Sequence, residues 1–201
     1  LSLDHSDFRI LQLLSEAVRQ MSEGELLQME KSRSLNLRED TYYEIIKGKT
    51  ASLLASACAA GAWSSTQDEQ ITEKMRRFGE NVGMAFQIKD DLFDYGTDAI
   101  GKPTGNDIRE KKLTLPLIYT LSHTTPAIRR ELIYILKNQN KIPEKIRHVI
   151  NIVQETGGID YARKKMVAYR DEALDLLHTF ENIPVRNGLE ELVRFTTDRK
   201  Y

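Results

Sequence analysis

The chain has 201 residues with a formal net charge of −1, and 40% hydrophobic and 29% charged residues give it the composition of a globular protein with a sizeable core. That charge excludes an electrostatic case for nucleic acid binding, and no apolar run approaches the roughly 20 residues of a membrane-spanning helix. The single cysteine, Cys58, excludes an intrachain disulfide framework and a cysteine-based zinc site, and it favours a reducing, cytoplasmic compartment.

Hydrophobic residues recur with helical spacing along nearly the whole chain. The pattern predicts a helix from Ser6 to Lys31, and a second from a cap at Thr41 to Gly61. A long helix follows at about 68–95, with Thr66 and Glu69 spaced as a capping box at its start. Residues 96–116, with three glycines and two prolines, are the least helical stretch. Shorter helices are predicted at about 117–122, 126–138, 143–156, 159–180 and 185–198, and Pro126, Pro143 and Pro184 lie at helix starts.

The chain has no alternating strand pattern, no internal repeat and no low-complexity tract. The sequence therefore predicts one all-α domain over residues 1–201, with long antiparallel helices followed by shorter ones. The chain opens on Leu1 rather than Met, inside an amphipathic pattern, which leads us to expect a fragment of a longer protein.

Four polar side chains form a stripe on the long helix at 68–95. Gln87, Asp90, Asp91 and Asp94 follow the spacing i, i+3, i+4, i+7 of a single helix face. Each like-charge pair destabilises a helix by about 0.2–0.5 kcal/mol, and the helix dipole disfavours anions at a C-terminal end. A divalent cation reverses that balance, and carboxylate oxygens suit Mg²⁺. The aspartates alone leave two interpretations open, a solvated acidic surface or a metal site.

Basic residues nearby favour the metal site. Lys49 and Thr50 interrupt an apolar helix, Lys102 follows Gly101 in the loop after the aspartates, and Lys112 lies near the end of that loop. Each lysine alone is more often a surface residue, but lysine also binds phosphate oxygens as a compact point charge. Combined with the carboxylates, the lysines predict a site for a diphosphate ligand together with Mg²⁺.

These motifs resemble a known family. "GMAFQIKDDLFDYGTDAIGKPTGNDIREKKLTLPLIY" at 83–119 is similar to the second aspartate-rich region of the trans-isoprenyl (polyprenyl) diphosphate synthases. "GELLQME" at 24–30 and "KGKTASLLASACAAGA" at 47–62 resemble two upstream blocks of that family, and "GELLQ" is closer to the longer-chain, octaprenyl-like bacterial members. The resemblance covers essentially the whole chain and implies the C-terminal portion of an isoprenoid-synthase-type helical bundle.

The resemblance assigns roles to the matching residues. It implies that Asp90, Asp91 and Asp94 bind Mg²⁺ bridging to the allylic diphosphate, with Asp90 as the direct ligand. The other implied site residues are Lys49 and Lys102 on the diphosphate, Thr50 and Gln87 near the reacting centre, Lys112 closing the loop onto phosphate, Glu25 and Gln28 facing the site, and Asp107 as an orienting residue. Lys111 occupies a position where the family often has glycine, so the assignment between Lys111 and Lys112 stays open.

The implied activity is Mg²⁺-dependent head-to-tail condensation of isopentenyl diphosphate with an allylic prenyl diphosphate, carried out by a homodimer. The family has two aspartate-rich motifs and this sequence lacks the first, so we expect that motif upstream and expect this chain alone to be inactive. Two alternatives are a class I terpene cyclase, disfavoured because its N-S-E-type metal motif is absent, and a non-catalytic subunit of a hetero-oligomeric prenyl synthase.

Overall fold

The computed structural model describes residues 8–35, 38–96 and 104–198, and the regular structure in those ranges is entirely helical. The prediction of an all-α protein is confirmed. The elements in chain order are α1 (Phe8–Ser34), α2 (Glu39–Ile46), a π-helical turn (Lys47–Ala51), α3 (Ser52–Thr66), α4 (Glu69–Phe93), α5 (Asn106–Arg109), α6 (Leu115–His123), α7 (Pro126–Asn138), α8 (Pro143–Glu155), α9 (Gly158–His178) and α10 (Pro184–Asp198).

Most predicted helices lie where the apolar spacing placed them. Helices α1 and α4 match the two long predictions closely, and α7 to α10 match the later ones to within two residues. Pro126, Pro143 and Pro184 are the first residues of α7, α8 and α10. A proline at this position loses no helical hydrogen bond, because the first N–H groups of a helix have no partner within the helix.

The second predicted helix differs in its start and its interior. It begins at Glu39, so Thr41 lies inside the first turn and the prediction of a cap at Thr41 is wrong. It also continues beyond Gly61 to Thr66, with the π-helical turn between α2 and α3. The apolar pattern missed this turn because a single widened turn changes the helical period only locally.

The predicted capping box before α4 is also wrong. Gln67 adopts a left-handed conformation with φ of 51° and ends α3, while its N–H donates to the Trp63 carbonyl. Asp68 then caps α4, because its Oδ1 accepts the N–H groups of residues 70 and 71 at 2.7 and 3.0 Å.

The described chain divides into two compact units. The first contains residues 8–27, 44–87 and 166–198. Its core joins α4, α9 and α10 through Phe78, Val82, Leu174, Leu177 and Val193. Within this unit α4 approaches the π-helical turn closely, since a Cβ at Gly83 would lie 2.5 Å from the Ala51 Cα.

The second unit contains residues 28–35, 38–43, 88–96 and 104–165. Helix α6 contacts α7 and α8, and their inward side chains are fully buried, including Leu115, Leu117, Leu132, Val149 and Val153. The single domain over residues 1–201 stays a prediction.

Two tyrosine hydroxyls hold α2 within the second unit. The buried Tyr42 donates to the buried Asp91 carboxylate at 2.7 Å, and Tyr161 of α9 donates to Glu39 at 2.6 Å. Buried tyrosines require a partner for the hydroxyl, and charge-assisted bonds of this kind are among the stronger ones.

Within residues 8–35, 38–96 and 104–198, no helix is both long enough and apolar enough to cross a lipid bilayer.

We expect Gly83→Ala to lower the free energy of unfolding by about 1–3 kcal/mol, because the added methyl group overpacks α4 against Ala51. Gly61→Ala is the matched control, since a Cβ there meets nothing within 4 Å and alanine favours a helix interior over glycine by about 1 kcal/mol. Urea unfolding followed by circular dichroism measures both. A Gly83→Ala variant as stable as Gly61→Ala would contradict the close approach.

We expect Tyr42→Phe to lower the free energy of unfolding by about 1–3 kcal/mol, because it leaves the buried Asp91 carboxylate without its hydroxyl donor. Tyr134→Phe serves as the control, because Tyr134 is 57% exposed and its change should stay within about 0.5 kcal/mol. Equal urea midpoints for the two variants would show that the Tyr42 hydroxyl contributes nothing.

Candidate functional site

The π-helical turn presents two of the predicted site residues in the first unit. The Ser52 N–H donates to the Lys47 carbonyl five residues earlier, and the Ser52 hydroxyl donates to the Gly48 carbonyl at 2.5 Å. These bonds hold the widened turn that carries Lys49 and Thr50. Single π turns inside α-helices occur frequently at functional sites.

Lys49 forms an ion pair with Glu25 of α1. Its Nζ lies 2.7 Å from the Glu25 carboxylate, and both side chains are partly exposed. Two glycines permit this contact, because a Cβ at Gly24 would lie 2.7 Å from the Lys49 backbone nitrogen and one at Gly48 would lie 2.8 Å from the Gln20 carbonyl oxygen. The structure therefore brings the predicted residues Glu25 and Lys49 together.

Thr50 and Gln87 are also brought together. The Thr50 hydroxyl donates to the Gln87 side-chain oxygen at 2.8 Å, and both residues are half-buried. This bond fixes the carbonyl end of the Gln87 amide, so its NH₂ group points away from Thr50.

In the second unit, Asp94 ties the chain after α4 to the start of α5. Its two carboxylate oxygens accept the backbone N–H groups of Asn106 at 2.7 Å and Asp107 at 3.1 Å. The Gly105 N–H also donates to the Asp94 carbonyl at 2.9 Å. Burial first, and then the negative charge of Asp107, raise the pKa of Asp94 to about 6, although the two N–H donors oppose the shift.

Asp91 is held by a side chain instead. Its carboxylate is 7% exposed and accepts the Tyr42 hydroxyl. Burial, followed by the Asp91 charge, raises the pKa of Tyr42 well above its usual range, so the hydroxyl remains a donor. Tyr42 was not among the predicted site residues, although the rule that a buried tyrosine hydroxyl needs a partner could have identified it.

Asp90 differs from both other aspartates because its carboxylate is half-buried and accepts no hydrogen bond from the residues that the structure describes. Asp107 lies near enough to Asp90 for the charge of one carboxylate to act on the other. Burial raises the pKa of Asp107, Lys112 opposes the shift, and the charges of Asp90 and Glu110 add to it. The two carboxylates therefore repel each other, which is the condition that a bound cation relieves.

Lys112 and Lys111 have different environments. The Lys112 Nζ lies 2.6 Å from Glu110 and 3.5 Å from Asp107. Burial lowers the pKa of Lys112, but its bond to Glu110 and the charge of Asp107 outweigh that effect and raise it. Lys111 donates to the Lys137 carbonyl at 2.9 Å, and its φ of 58° is a left-handed value that favours glycine. Of the two, Lys112 is the lysine beside the carboxylates.

Two further predicted residues have a more limited description. Gln28 is half-buried on α1 in the second unit. Lys102 lies outside the described residues, as does Gly101. The predicted roles of all the site residues stay predictions.

The carboxylates of the second unit differ in how well their oxygens could serve as ligands of Mg²⁺. Within the described residues no three carboxylate, histidine or cysteine side chains form a group that could hold a metal ion. Both Asp94 oxygens are occupied by N–H donors, and Asp91 accepts Tyr42. Mg²⁺ in phosphate-handling proteins uses one or two carboxylates, with water and substrate phosphates as the other ligands. Asp90, with Asp107 near it, provides that donor set.

Comparisons with solved structures agree with the helical fold. The chain superimposes with a TM-score of 0.90 on the polyprenyl synthase of Caulobacter crescentus CB15 complexed with calcium and isoprenyl diphosphate, with 34% identity over 99% of this chain and 61% of that one. It superimposes with a TM-score of 0.92 on a decaprenyl diphosphate synthase of Rhodobacter capsulatus, with 30% identity over 99% of this chain and 62% of that one.

Sequence comparisons lead to the same family. The chain is 34% identical to the all-trans-nonaprenyl-diphosphate synthase (geranyl-diphosphate specific) of Rhodobacter capsulatus, over 99% of this chain and 61% of that protein. It is 30% identical to the octaprenyl diphosphate synthase of Escherichia coli (strain K12), over 95% of this chain and 59% of that protein. The chain thus spans about three-fifths of the length of these relatives. Residues 1–153 match the family model described as Polyprenyl synthetase, and the chain belongs to that family.

Proposed function

We propose that the whole protein condenses isopentenyl diphosphate head-to-tail with an allylic prenyl diphosphate, forming a trans-polyprenyl diphosphate longer by one five-carbon unit. Family membership carries this proposal. The relatives named nonaprenyl and octaprenyl diphosphate synthases support a long-chain product. No described residue arrangement favours a terpene cyclase.

The residues of the first unit act on the allylic substrate. Lys49 binds diphosphate oxygens, and Glu25 orients its ammonium group through their ion pair. Charge develops on the diphosphate as the allylic C–O bond breaks, and a lysine already in place stabilises that charge without reorganising. Gln87 holds the Thr50 hydroxyl, and we assign this pair to the region of the allylic carbon.

The residues of the second unit bind the metal and the diphosphate. Asp90 would be the direct carboxylate ligand of the metal, with Asp107 beside it, and Lys112 would contact a diphosphate; we assign the same role to Lys102. Asp91 and Asp94 support the site by positioning α2 and α5. Mg²⁺, when bound, supplies Lewis-acid stabilisation of the departing diphosphate.

We propose a homodimer as the working assembly. On α1 the side chains of Phe8, Leu11, Leu14 and Val18 are all exposed large hydrophobics, and they recur on one side of the helix. A face of this kind supports burial against another subunit. A relative named heptaprenyl diphosphate synthase component 2, 30% identical to this chain, supports a two-component synthase as the second candidate. The single, half-buried Cys58 suits a cytoplasmic location.

We expect Asp90→Asn in the whole protein to lower kcat by at least about a hundredfold and to raise the Mg²⁺ concentration needed for half-maximal activity, because an amide is a neutral and weaker ligand. Asp175→Asn is the control, since Asp175 is an exposed aspartate on α9. Incorporation of labelled isopentenyl diphosphate measures activity. Normal turnover with an unchanged Mg²⁺ requirement in Asp90→Asn would refute the metal role.

We expect an excess of chelator to abolish prenyl transfer and Mg²⁺ to restore it. Ca²⁺ should restore less activity, because it prefers more ligands at longer distances than a site of one or two carboxylates provides. Circular dichroism of the chelated protein controls for loss of structure. Full turnover in chelator would exclude a metal-dependent reaction.

A further inference from the structure

The nearly neutral net charge of the chain conceals a local excess of positive charge. Between residues 126 and 155, which form the α7–α8 hairpin, the sequence has six basic and three acidic side chains, the third acidic one being Glu155 at the far end of α8, whereas the whole chain has a net charge of −1. Glu131 and Glu144 both have partners within the hairpin, at His148 and Arg147 respectively. The remaining basic residues therefore give this part of the second unit a strongly positive surface.

Four of these basic residues are distributed along the hairpin and its turn. Arg130 and Lys137 lie on α7, Lys141 in the turn, and Lys145 in the first turn of α8. Three of the four are exposed and Lys145 is half-exposed, and none forms an ion pair with any residue between 8 and 198 that the structure describes. Their charges are available to an external partner.

Two large apolar side chains lie among these charges. Tyr134 is 57% exposed, and the spacing from Arg130 to Tyr134 to Lys137 is that of one helix face. Ile142 is 41% exposed and directly precedes α8. We call Arg130, Tyr134, Lys137, Lys141, Ile142 and Lys145 the basic hairpin surface. Exposed aromatic and aliphatic side chains surrounded by lysines are characteristic of surfaces that bind the interface of a bilayer.

The basic hairpin surface differs from the other exposed apolar side chains of the chain. Helix α10 exposes Val185, Leu192 and Phe195, but its arginines are matched by Glu190, Glu191 and Asp198. An anionic bilayer attracts the hairpin electrostatically and has no comparable attraction for α10.

The basic hairpin surface lies next to the loop that carries Asp107 and Lys112. Asn140 in the turn donates to the Arg109 carbonyl at 2.6 Å, and Lys111 donates to the Lys137 carbonyl. A Cβ at Gly105, the residue before α5, would collide with Ile146 of α8. A ligand on the hairpin is therefore held close to α5 and the residues that follow it.

We propose that the basic hairpin surface docks the protein on an anionic lipid bilayer. Lysine and arginine near such a bilayer are attracted to its negative surface potential, while Tyr134 and Ile142 enter the headgroup region. Nucleic acid is the less suitable partner, because an aliphatic side chain adds nothing to phosphate contacts and only one aromatic ring is available for stacking. The inference is independent of the proposed function. If the protein is a long-chain synthase, docking would also place the residues around Asp107 and Lys112 beside a bilayer able to accept its product.

Sedimentation of the full chain with lipid vesicles tests the proposal. We expect binding to vesicles of phosphatidylcholine mixed with phosphatidylglycerol, little binding to phosphatidylcholine alone, and release by salt. Each basic residue near the bilayer contributes about fivefold, so the variant K137Q/K141Q/K145Q should bind about a hundredfold more weakly. The matched control R77Q/R163Q/K164Q removes the same charge from exposed residues of α4 and α9 and should bind like the wild type. Equal weakening of both variants would overturn the proposal.

Two further measurements separate a bilayer from other anionic partners. Ile142→Ser should weaken vesicle binding severalfold, and a serine at the residue before α8 can cap that helix, so loss of folding does not explain the effect. A single-stranded RNA oligomer measured in the same buffer should bind more weakly than the anionic vesicles. Tighter binding to RNA, or vesicle binding unchanged by Ile142→Ser, would overturn the bilayer assignment.

Discussion

The carboxylate of Asp94 anchors the part of the second unit that carries Asp107 and Lys112. It lies at the C-terminal end of α4, where the helix dipole disfavours a negative charge, and it is buried. Hydrogen bonds from the N–H groups of Asn106 and Asp107 offset this cost, and the same bonds return the chain to the end of α4. The buried hydroxyls of Tyr95 and Thr114 lie 2.6 Å apart, and their hydrogen bond joins the residue after Asp94 to the residue before α6.

Three aspartates within five residues therefore have three different environments. Asp91 accepts a buried tyrosine hydroxyl, Asp94 accepts two backbone donors, and Asp90 has no hydrogen-bond donor among the described residues. A buried carboxylate must be hydrogen-bonded to be tolerated, and this requirement takes up part of the acceptor capacity of Asp91 and Asp94. The more exposed environment of Asp90 supports the proposal that this carboxylate binds the external cation.

The first unit depends on close backbone approach. Gly24, Gly48 and Gly83 lack the Cβ that would separate α1 and α4 from the π-helical turn. Because the backbones approach this closely, the short reach of Thr50 is enough to contact Gln87, and Lys49 meets Glu25. Small residues at these positions therefore serve the geometry of the functional side chains as well as packing.

The amino-acid sequence alone was sufficient for the helical class, the bounds of the long helices and the identity of the family motifs. Apolar spacing and proline position act within a few residues, so α1, α4 and the later helices could be predicted from local pattern. The motif residues were recognisable for the same reason, because their spacing lies within single segments.

Only the tertiary structure distinguished the environments of those residues. Tyr42 and Asp91 are 49 positions apart, and no local pattern pairs them. The π-helical turn lies beside close backbone contacts with α1 and α4, and the left-handed Lys111 donates to the Lys137 carbonyl, so neither conformation could be read from the local pattern. Helices form from interactions a few residues apart, whereas the partner of a buried polar group is decided by whichever segments pack around it.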